Sequence, residues 1–423
     1  MLYYSPRLLF LNALCASLCY AALPPSFTHG WDTVSNLTFA HGGNSSILPP
    51  EQFSFLSQKY KWITFADCYG GKTAGGVNNT QEYTTLAAAA SLKALDPDTN
   101  VVFYWKSDMS SMLTSCSTAN ETWHRHPEWQ LLDDKGKPVP AGTGGGIIFD
   151  STVATFREFW QNHLTVLARA LGADGKPLIN GFFIDGCQQK NDTVWKNVNP
   201  IKTAAVVGNT TLMVQSTQNA LDALGYNQVM IWNAMDNAFQ LDNHVAASRG
   251  SMNDHFGALG AINPHTGAWV PSVLEESFTI INDPRNTQRL IQIKGWVGPL
   301  VHPREWFNNS QPTTDVGLRA AVLSELDITL SLFLMVAQEN VWLGYSWFWE
   351  MSDYIPFGRN HTCPDNFFPQ YDCPLGPPLG PPTNASNIYT REFTYATAYV
   401  DFNNRSASGM IWKTPKCSGY NRI

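Results

Sequence analysis

Ile179-Asn180-Gly181-Phe182-Phe183-Ile184-Asp185-Gly186 holds three consecutive apolar residues and then breaks off on an acid and a glycine. The apolar run reads as a short buried strand, and Gly186 lets the backbone leave it in a conformation that other residues avoid. The stretch presents a carboxylate where a buried strand surfaces. In parallel α/β architectures ligands bind at that rim, because the loops leaving the C-terminal ends of the strands converge there. An acid after a strand can equally brace a turn or cap the next helix, so its role depends on what the other strand ends bring to it.

Similar stretches recur on both sides. Phe27–Asp32, Lys61–Asp67, Val101–Asp108, Ile147–Phe149, Gln228–Asn233, Val273–Phe278, Leu290–Trp296 and Val341–Glu350 read as further strands. With the opening stretch they give eight strand candidates when only one of Phe27–Asp32 and Ile147–Phe149 is counted, which makes the opening stretch fourth, and it is fifth when both are. Helical patterns lie between them. Gln81–Leu95 is rich in Ala and Leu and is stopped by Asp96-Pro97-Asp98. After Asp150-Ser151-Thr152, which offers N-cap chemistry, Phe156, Phe159, Trp160, Leu164, Leu167 and Leu171 recur at three- and four-residue steps. Thr210–Leu224, Asn286–Ile291 and Asp315–Gln338 read as helices too, and Ser110–Gly146 as a long excursion over one face.

Alternating strands and helices imply parallel pairing with right-handed crossovers, and eight such units close into a (β/α)8 TIM barrel. An open doubly wound sheet is the alternative, but no Gly-x-Gly-x-x-Gly follows any of the strands. After Pro356 the composition shifts to Pro, Gly and Asn, and Arg391–Phe402 with Ala407–Trp412 suggests a β-hairpin appendage. The expected organisation is a leader over 1–22, a barrel over 23–355, and a Pro/Gly-rich loop with a C-terminal hairpin over 356–423.

The leader is read from Arg7 followed by the mainly apolar Leu8–Ala22 and then Pro24-Pro25, the layout of a cleavable secretory signal. The apolar run is shorter than the roughly 20 residues that span a bilayer, so a secreted, extracellular protein without a membrane span is expected. Asn36, Asn44, Asn78, Asn120, Asn191, Asn209, Asn308, Asn360, Asn384 and Asn404 each open an Asn-x-Ser/Thr glycosylation triplet. Of eight cysteines, Cys15 and Cys19 lie in the leader, leaving Cys68, Cys116, Cys187, Cys363, Cys373 and Cys417 for disulfides. Proximity in the Pro/Gly-rich loop favours Cys363 with Cys373.

Charged residues are 14 % of the chain against a norm of about 25 %, while aromatics reach 13 % with 15 Trp. Ring excess suits both sugar binding and plain packing. The net charge of −7 without a basic cluster excludes nucleic acid as the partner. No spaced Cys/His set points to a metal, His124, His126 and His255 are read as surface or hydrogen-bonded residues, and no cofactor is expected. The absence of a Gly-x-Ser-x-Gly elbow removes Ser-His-Asp hydrolysis.

Polar groups stand at or near most strand ends: Asp67, Lys106 with Asp108, Asp185, Asn233, Glu275 or Glu276, Lys294 and Glu350. Glycoside hydrolysis needs two carboxyl groups flanking one bond, about 5–5.5 Å apart for retention or about 6.5–9.5 Å for inversion. Asp185 is the expected ionised partner, stabilised by Lys294 and Asn233, and a Glu of the 275–276 pair is the expected acid. Strand alternation allows only one of that pair to face the mouth, and Glu276 is preferred. Asp67, Trp105, Lys106, Asp108, Asn233, Lys294, Trp347 and Trp349 are expected to bind substrate, although Lys106 with Asp108 is equally readable as a structural ion pair and Tyr345-Trp347-Trp349 as core.

Asn180–Gly186, then Trp232-Asn233, then Leu274–Phe278, resembles the run of strand ends in (β/α)8 glycoside hydrolases, and Arg391-Glu392-Phe393 with its hairpin resembles their tail. In α-galactosidase-like members an Asp after strand four is the nucleophile and an acid after strand six the proton donor, so the resemblance implies those roles for Asp185 and Glu276. The likeness runs from about Lys61 to Trp412. The chain departs from it in carrying a Glu pair at the sixth position and Asn233 where amylase-type barrels place an acid. A secreted glycoside hydrolase working on a carbohydrate substrate is the leading expectation. A catalytically silent carbohydrate-binding barrel or cell-surface glycoprotein is the rival, its aromatics binding sugar and its acids only holding hydroxyls.

Overall fold

The computed structural model describes residues 24–40, 48, 50–65, 69, 80–110, 116–141, 146–186, 197–233, 247–257, 269–296, 315–346 and 367–421. Eight strands form one parallel sheet in chain order: β1 (Leu37–Ala40), β2 (Trp62–Phe65), β3 (Asn100–Lys106), β4 (Gly181–Asp185), β5 (Val229–Trp232), β6 (Gly250–Gly257), β7 (Leu290–Trp296) and β8 (Val341–Ser346). A parallel bridge between Asn36 and Leu343 brings β8 back to β1, so the sheet curls into a nearly closed (β/α)8 barrel. Its helices are α1 (Pro50–Lys59), α2 (Gln81–Leu95), α3 (Ala154–Ala168), α4 (Pro200–Leu224), α5 (Ser272–Ile281) and α6 (Asp315–Val336).

Local chemistry sets the helix ends. The Thr80 hydroxyl accepts from the Tyr83 N–H at the start of α2, while Asn199 caps α4 ahead of Pro200 and Gly225 ends it at φ 76°. The helix after Asp150 starts at Ala154, with Asp150 instead folding an Asx turn by accepting from the Thr152 N–H and hydroxyl.

Side chains alternate between two environments along each strand. Leu37, Phe39, Trp62, Val102, Tyr104, Phe183, Val229, Ile231, Met252, Leu290 and Trp342 fill the barrel interior. Ile63, Phe65, Val101, Phe103, Trp105, Phe182, Ile184, Met230 and Trp232 pack outward against the helices. The floor is plugged by the segment before β1: Phe27 is buried in the barrel interior, and the indoles of Trp62 and Trp342 donate to the carbonyls of Ser26 and Phe27.

Four sequence expectations are corrected. The first strand is Leu37–Ala40 rather than Phe27–Asp32, which runs irregularly out of a 3-10 turn over Pro25–Phe27. Gly146–Ile148 leaves the barrel and joins a separate three-stranded sheet with Met109–Ser110 and Pro140–Ala141, inside the excursion after β3. Val273–Phe278 is helical, because Leu274, Ser277 and Ile281 lie on one buried face of α5, a spacing that six residues are too few to reveal. The true sixth strand, Gly250–Gly257, has no apolar run to announce it, and Asn286 falls in turns before β7.

The C-terminal part is larger than a hairpin. β9 (Thr383–Ala385), β10 (Ile388–Glu392), β11 (Ala396–Asp401) and β12 (Gly409–Trp412) form an antiparallel sheet, with a turn breaking the single strand expected over Arg391–Phe402. This sheet packs on α6, so α6 is buried from Glu325 to Ala337 between it and the barrel, which explains its apolar composition on all sides. Arg391 donates to the carbonyls of Leu334 and Ala337 and closes the C-terminal end of α6. Cys373 pairs with Cys417, not with Cys363, and Cys116 is also disulfide-bonded. No described helix is long and apolar enough to cross a membrane.

Candidate active site

Asp185 ends β4 on the interior face, two residues beyond Phe183, and its side chain is 28 % exposed. Its two oxygens are held from both neighbouring strands. The Tyr104 hydroxyl donates to Oδ2 at 2.6 Å, and the Asn233 amide donates to Oδ1 at 2.9 Å. Lys106 Nζ lies 3.7 Å from Oδ2. Register places these groups: Lys106 is opposite Asp185 across the β3–β4 pair, and Asn233 follows β5 with its N–H on the Ile184 carbonyl.

Burial alone raises the Asp185 pKa, yet the Lys106 charge, the Tyr104 hydroxyl, the Asn233 amide and the Gly186 N–H together hold it below the usual carboxylate value. A carboxylate kept ionised in a barrel mouth can act as a nucleophile, as a base toward water, or as a countercharge to a developing cation.

Behind it, Gly186 has φ 75°, and a side chain there would overlap the Asp108 carboxylate. Asp108 is buried, packed against the backbone that leaves β4, rather than presented to the mouth. Two outer side chains reach the same corner. Gln81 on α2 donates to the Tyr104 carbonyl at 2.9 Å, and Trp160 on α3 donates to the Lys106 carbonyl at 2.8 Å.

The other expected site residues divide. Trp105 faces outward, stacked on His163 at 4.6 Å between ring centroids and packed near Trp123, so it is core and not a sugar platform. Parity explains this, since Tyr104 and Lys106 take the inward positions on either side of it. Tyr345 is likewise outward, in the core beneath α6. Lys294 is buried on β7, three strands round from Asp185, and the cation beside Asp185 is Lys106.

Glu275 and Glu276 are exposed on α5, in the helical layer, and Glu275 accepts a hydrogen bond from Tyr389 of the C-terminal sheet at 2.7 Å. Neither stands at a strand end. Asp67, Trp347, Trp349 and Glu350 lie outside the described residues. His124 is exposed, and His126 stacks on Trp129 beside Glu128. Among the described residues no group of three or more His, Cys, Asp or Glu is arranged to hold a metal ion.

Sequence reading missed Tyr104. The available signal was its place two residues before Lys106 on a strand running beside Asp185.

The model of a family described as hypothetical glycosyl hydrolase family 15 matches residues 93–397. A comparison with curated proteins gives no match. Among solved structures, the β-galactosidase from the psychrophilic Marinomonas ef1 aligns at 11 % identity over 80 % of this chain and 58 % of its own, with a TM-score of 0.51, a likeness of fold. The noncanonic maltogenic α-amylase AmyB from Thermotoga neapolitana aligns at 10 % identity over 87 % and 84 %, with a TM-score of 0.45. Ega3 of Aspergillus fumigatus, solved in complex with galactosamine, aligns at 9 % identity over 76 % and 93 %, with a TM-score of 0.41.

Proposed function

This chain belongs to hypothetical glycosyl hydrolase family 15, and from that premise we propose that it is a secreted glycosidase that cleaves O-glycosidic bonds of a glycan with Asp185 as its ionised carboxylate. The observation that carries the residue assignment is the grip on Asp185 at the C-terminal end of β4, with Tyr104 and Asn233 each on one oxygen. Secretion rests on the leader read at Arg7–Ala22 and is supported by the Cys373–Cys417 disulfide and by the exposed triplet residues Asn384 and Asn404.

The partner acid is reassigned. A proton donor after the sixth strand now means a donor on β6, and Asp254 is the one carboxylate of Gly250–Gly257. In this reading Asp254 protonates the leaving oxygen, while Asp185 meets the anomeric carbon directly or activates a water toward it. Lys106 and Asn233 border that space and take part in binding the sugar.

Purified protein is screened against α- and β-linked aryl glycosides and polysaccharides, with Asp185→Asn as the control. Cleavage by the wild type and none by a variant that melts at the same temperature supports the assignment. Undiminished turnover in Asp185→Asn removes it, and binding without product release favours a carbohydrate-binding barrel.

A further inference from the structure

The turn between β9 and β10 holds two residues, Ser386 and Asn387, with Ala385 opposite Ile388 across it. Both have positive φ, 55° and 64°, the twist that lets so short a loop join two antiparallel strands. Asn387 suits that region, since a short side-chain amide can bond locally there, but Ser386 does not, and Asn, Asp and Gly are the usual occupants. The Ser386 hydroxyl does nothing to offset the strain. It makes no hydrogen bond among the described residues, and what is held is the carbonyl of Ser386, by the Asn403 amide at 2.8 Å.

What the hydroxyl does complete is the triplet Asn384-Ala385-Ser386. β9 is the edge strand of its sheet and is exposed at Thr383, Asn384 and Ala385 alike, so the Asn384 amide stands in solvent. Hydroxyls of two other triplets have structural partners instead. Thr38, in the triplet opened by Asn36, is buried and donates to the Phe39 carbonyl, and Thr211, in the triplet opened by Asn209, donates to the Val207 carbonyl inside α4. We infer that Ser386 is kept at a strained turn position as the recognition hydroxyl of an N-linked glycan on Asn384. The inference rests on the chain being secreted, because the sugar donor, an oligosaccharide carried on a lipid diphosphate, is met in the secretory compartment. In the transfer the Asn384 amide nitrogen forms a bond to the first sugar carbon, and the bond from that carbon to the diphosphate oxygen breaks. The amide loses one proton, the lipid diphosphate leaves, and nothing is oxidised or reduced.

Asn404-Arg405-Ser406 supplies a control with matched exposure. Its Asn404 and Ser406 are exposed, on the loop whose Asn403 holds Ser386, but Ser406 lies in the 3-10 turn Arg405–Ala407 without positive φ, and its hydroxyl donates to Asn404 Oδ1 at 2.7 Å. Glycine relieves strain at Ser386 and has none to relieve at Ser406.

The test expresses the full chain with its own leader in cells that attach N-linked glycans, and maps the exported protein by glycopeptide mass spectrometry. The expected result is a sugar chain on Asn384 in the wild type and in Ser386→Thr, and none there in Asn384→Gln or Ser386→Gly. The last two both lack the sugar and differ at the turn, so their melting temperatures isolate it. Ser386→Gly is expected to melt about 2 °C above Asn384→Gln. Ser406→Gly is expected to melt no higher than Asn404→Gln, its own sugar-free partner. Exported protein with a bare Asn384 overturns the inference, and so does a Ser386→Gly that melts no higher than Asn384→Gln. A chain that is made and folded but never exported removes the secreted reading and this inference with it, whereas export with Asn384 bare leaves secretion standing, so the two failures are told apart.

Discussion

Tyr104 and Asp185 face each other across adjacent parallel strands with the phenol hydroxyl donating to the carboxylate at 2.6 Å. A donor to the charged form favours that form, and here it acts with Lys106 against the burial that would otherwise favour the protonated acid. Because the folded pKa is depressed, the interaction stabilises the protein at neutral pH and is lost only as pH falls through that low folded value. Tyr104→Phe removes the hydroxyl and keeps the ring. A hydrogen bond to a charged group is worth about 1.5–3 kcal/mol. With partial exposure of Asp185 to water only part of that is felt, and the carboxyl takes up its proton at higher pH. The acid limb of kcat/KM moves up with it, and a pH profile of the variant against the wild type reads it.

Gly186 is the hinge through which the backbone turns away from that carboxylate. Its positive φ costs a side-chain-bearing residue about 1–3 kcal/mol, and an added Cβ would overlap the Asp108 carboxylate. Gly186→Ala is expected to lower the melting temperature and to reduce kcat together, since the shift falls on the backbone next to Asp185. Thermal melts and single-substrate kinetics on the same preparation check this. A variant with wild-type kcat would show that the corner tolerates displacement.

The barrel and Asp185 are legible in the sequence for one physical reason, which is that parallel strands buried on both faces must be apolar throughout and then stop. Phe182–Ile184 and Met230–Trp232 obey it. The sixth strand, Gly250–Gly257, does not, since its polar residues hide it beside the more apolar Val273–Phe278, which is a helix. A short apolar segment with two acids fits either period, and only the neighbouring strands decide which. Trp105 shows the same limit at a single residue: β3 is apolar on both faces from Val101 to Trp105, so composition cannot say which face lines the barrel. The role of Tyr104 depends on how β3 is set against β4, a register that no local pattern records. The Cys373–Cys417 pairing depends on where the C-terminal sheet docks.

That disulfide joins the segment leading into the C-terminal sheet to the chain beyond its last strand, with a sequence separation of 44. In the loop-entropy account such a closure is worth about 4 kcal/mol. The double variant Cys373→Ser with Cys417→Ser is expected to melt well below the wild type, and reducing agent to lower the melting temperature of the wild type by more than that of the variant, which keeps the disulfide of Cys116. Asp185 lies at the far side of this linkage, so its titration is expected to stay unchanged in whatever fraction remains folded. Calorimetry with and without reductant separates the outcomes.

The acid is where the reassignment from α5 to β6 is decided. Glu276 is exposed in the helical layer, so Glu276→Gln is expected to leave kcat/KM within about twofold of the wild type, as for a surface substitution. Asp254→Asn removes the proposed proton donor. General acid catalysis contributes roughly 100- to 10,000-fold, and the loss depends on how much the leaving group needs its proton. Turnover of a natural glycan or an alkyl glycoside should fall by that range, whereas an aryl glycoside with a strongly acidic phenol should lose far less. The basic limb of the pH profile, set by deprotonation of the acid, should flatten in the same variant. Equal losses on both kinds of substrate would remove Asp254 from the role of donor, and a large loss in Glu276→Gln would return the acid to the helix.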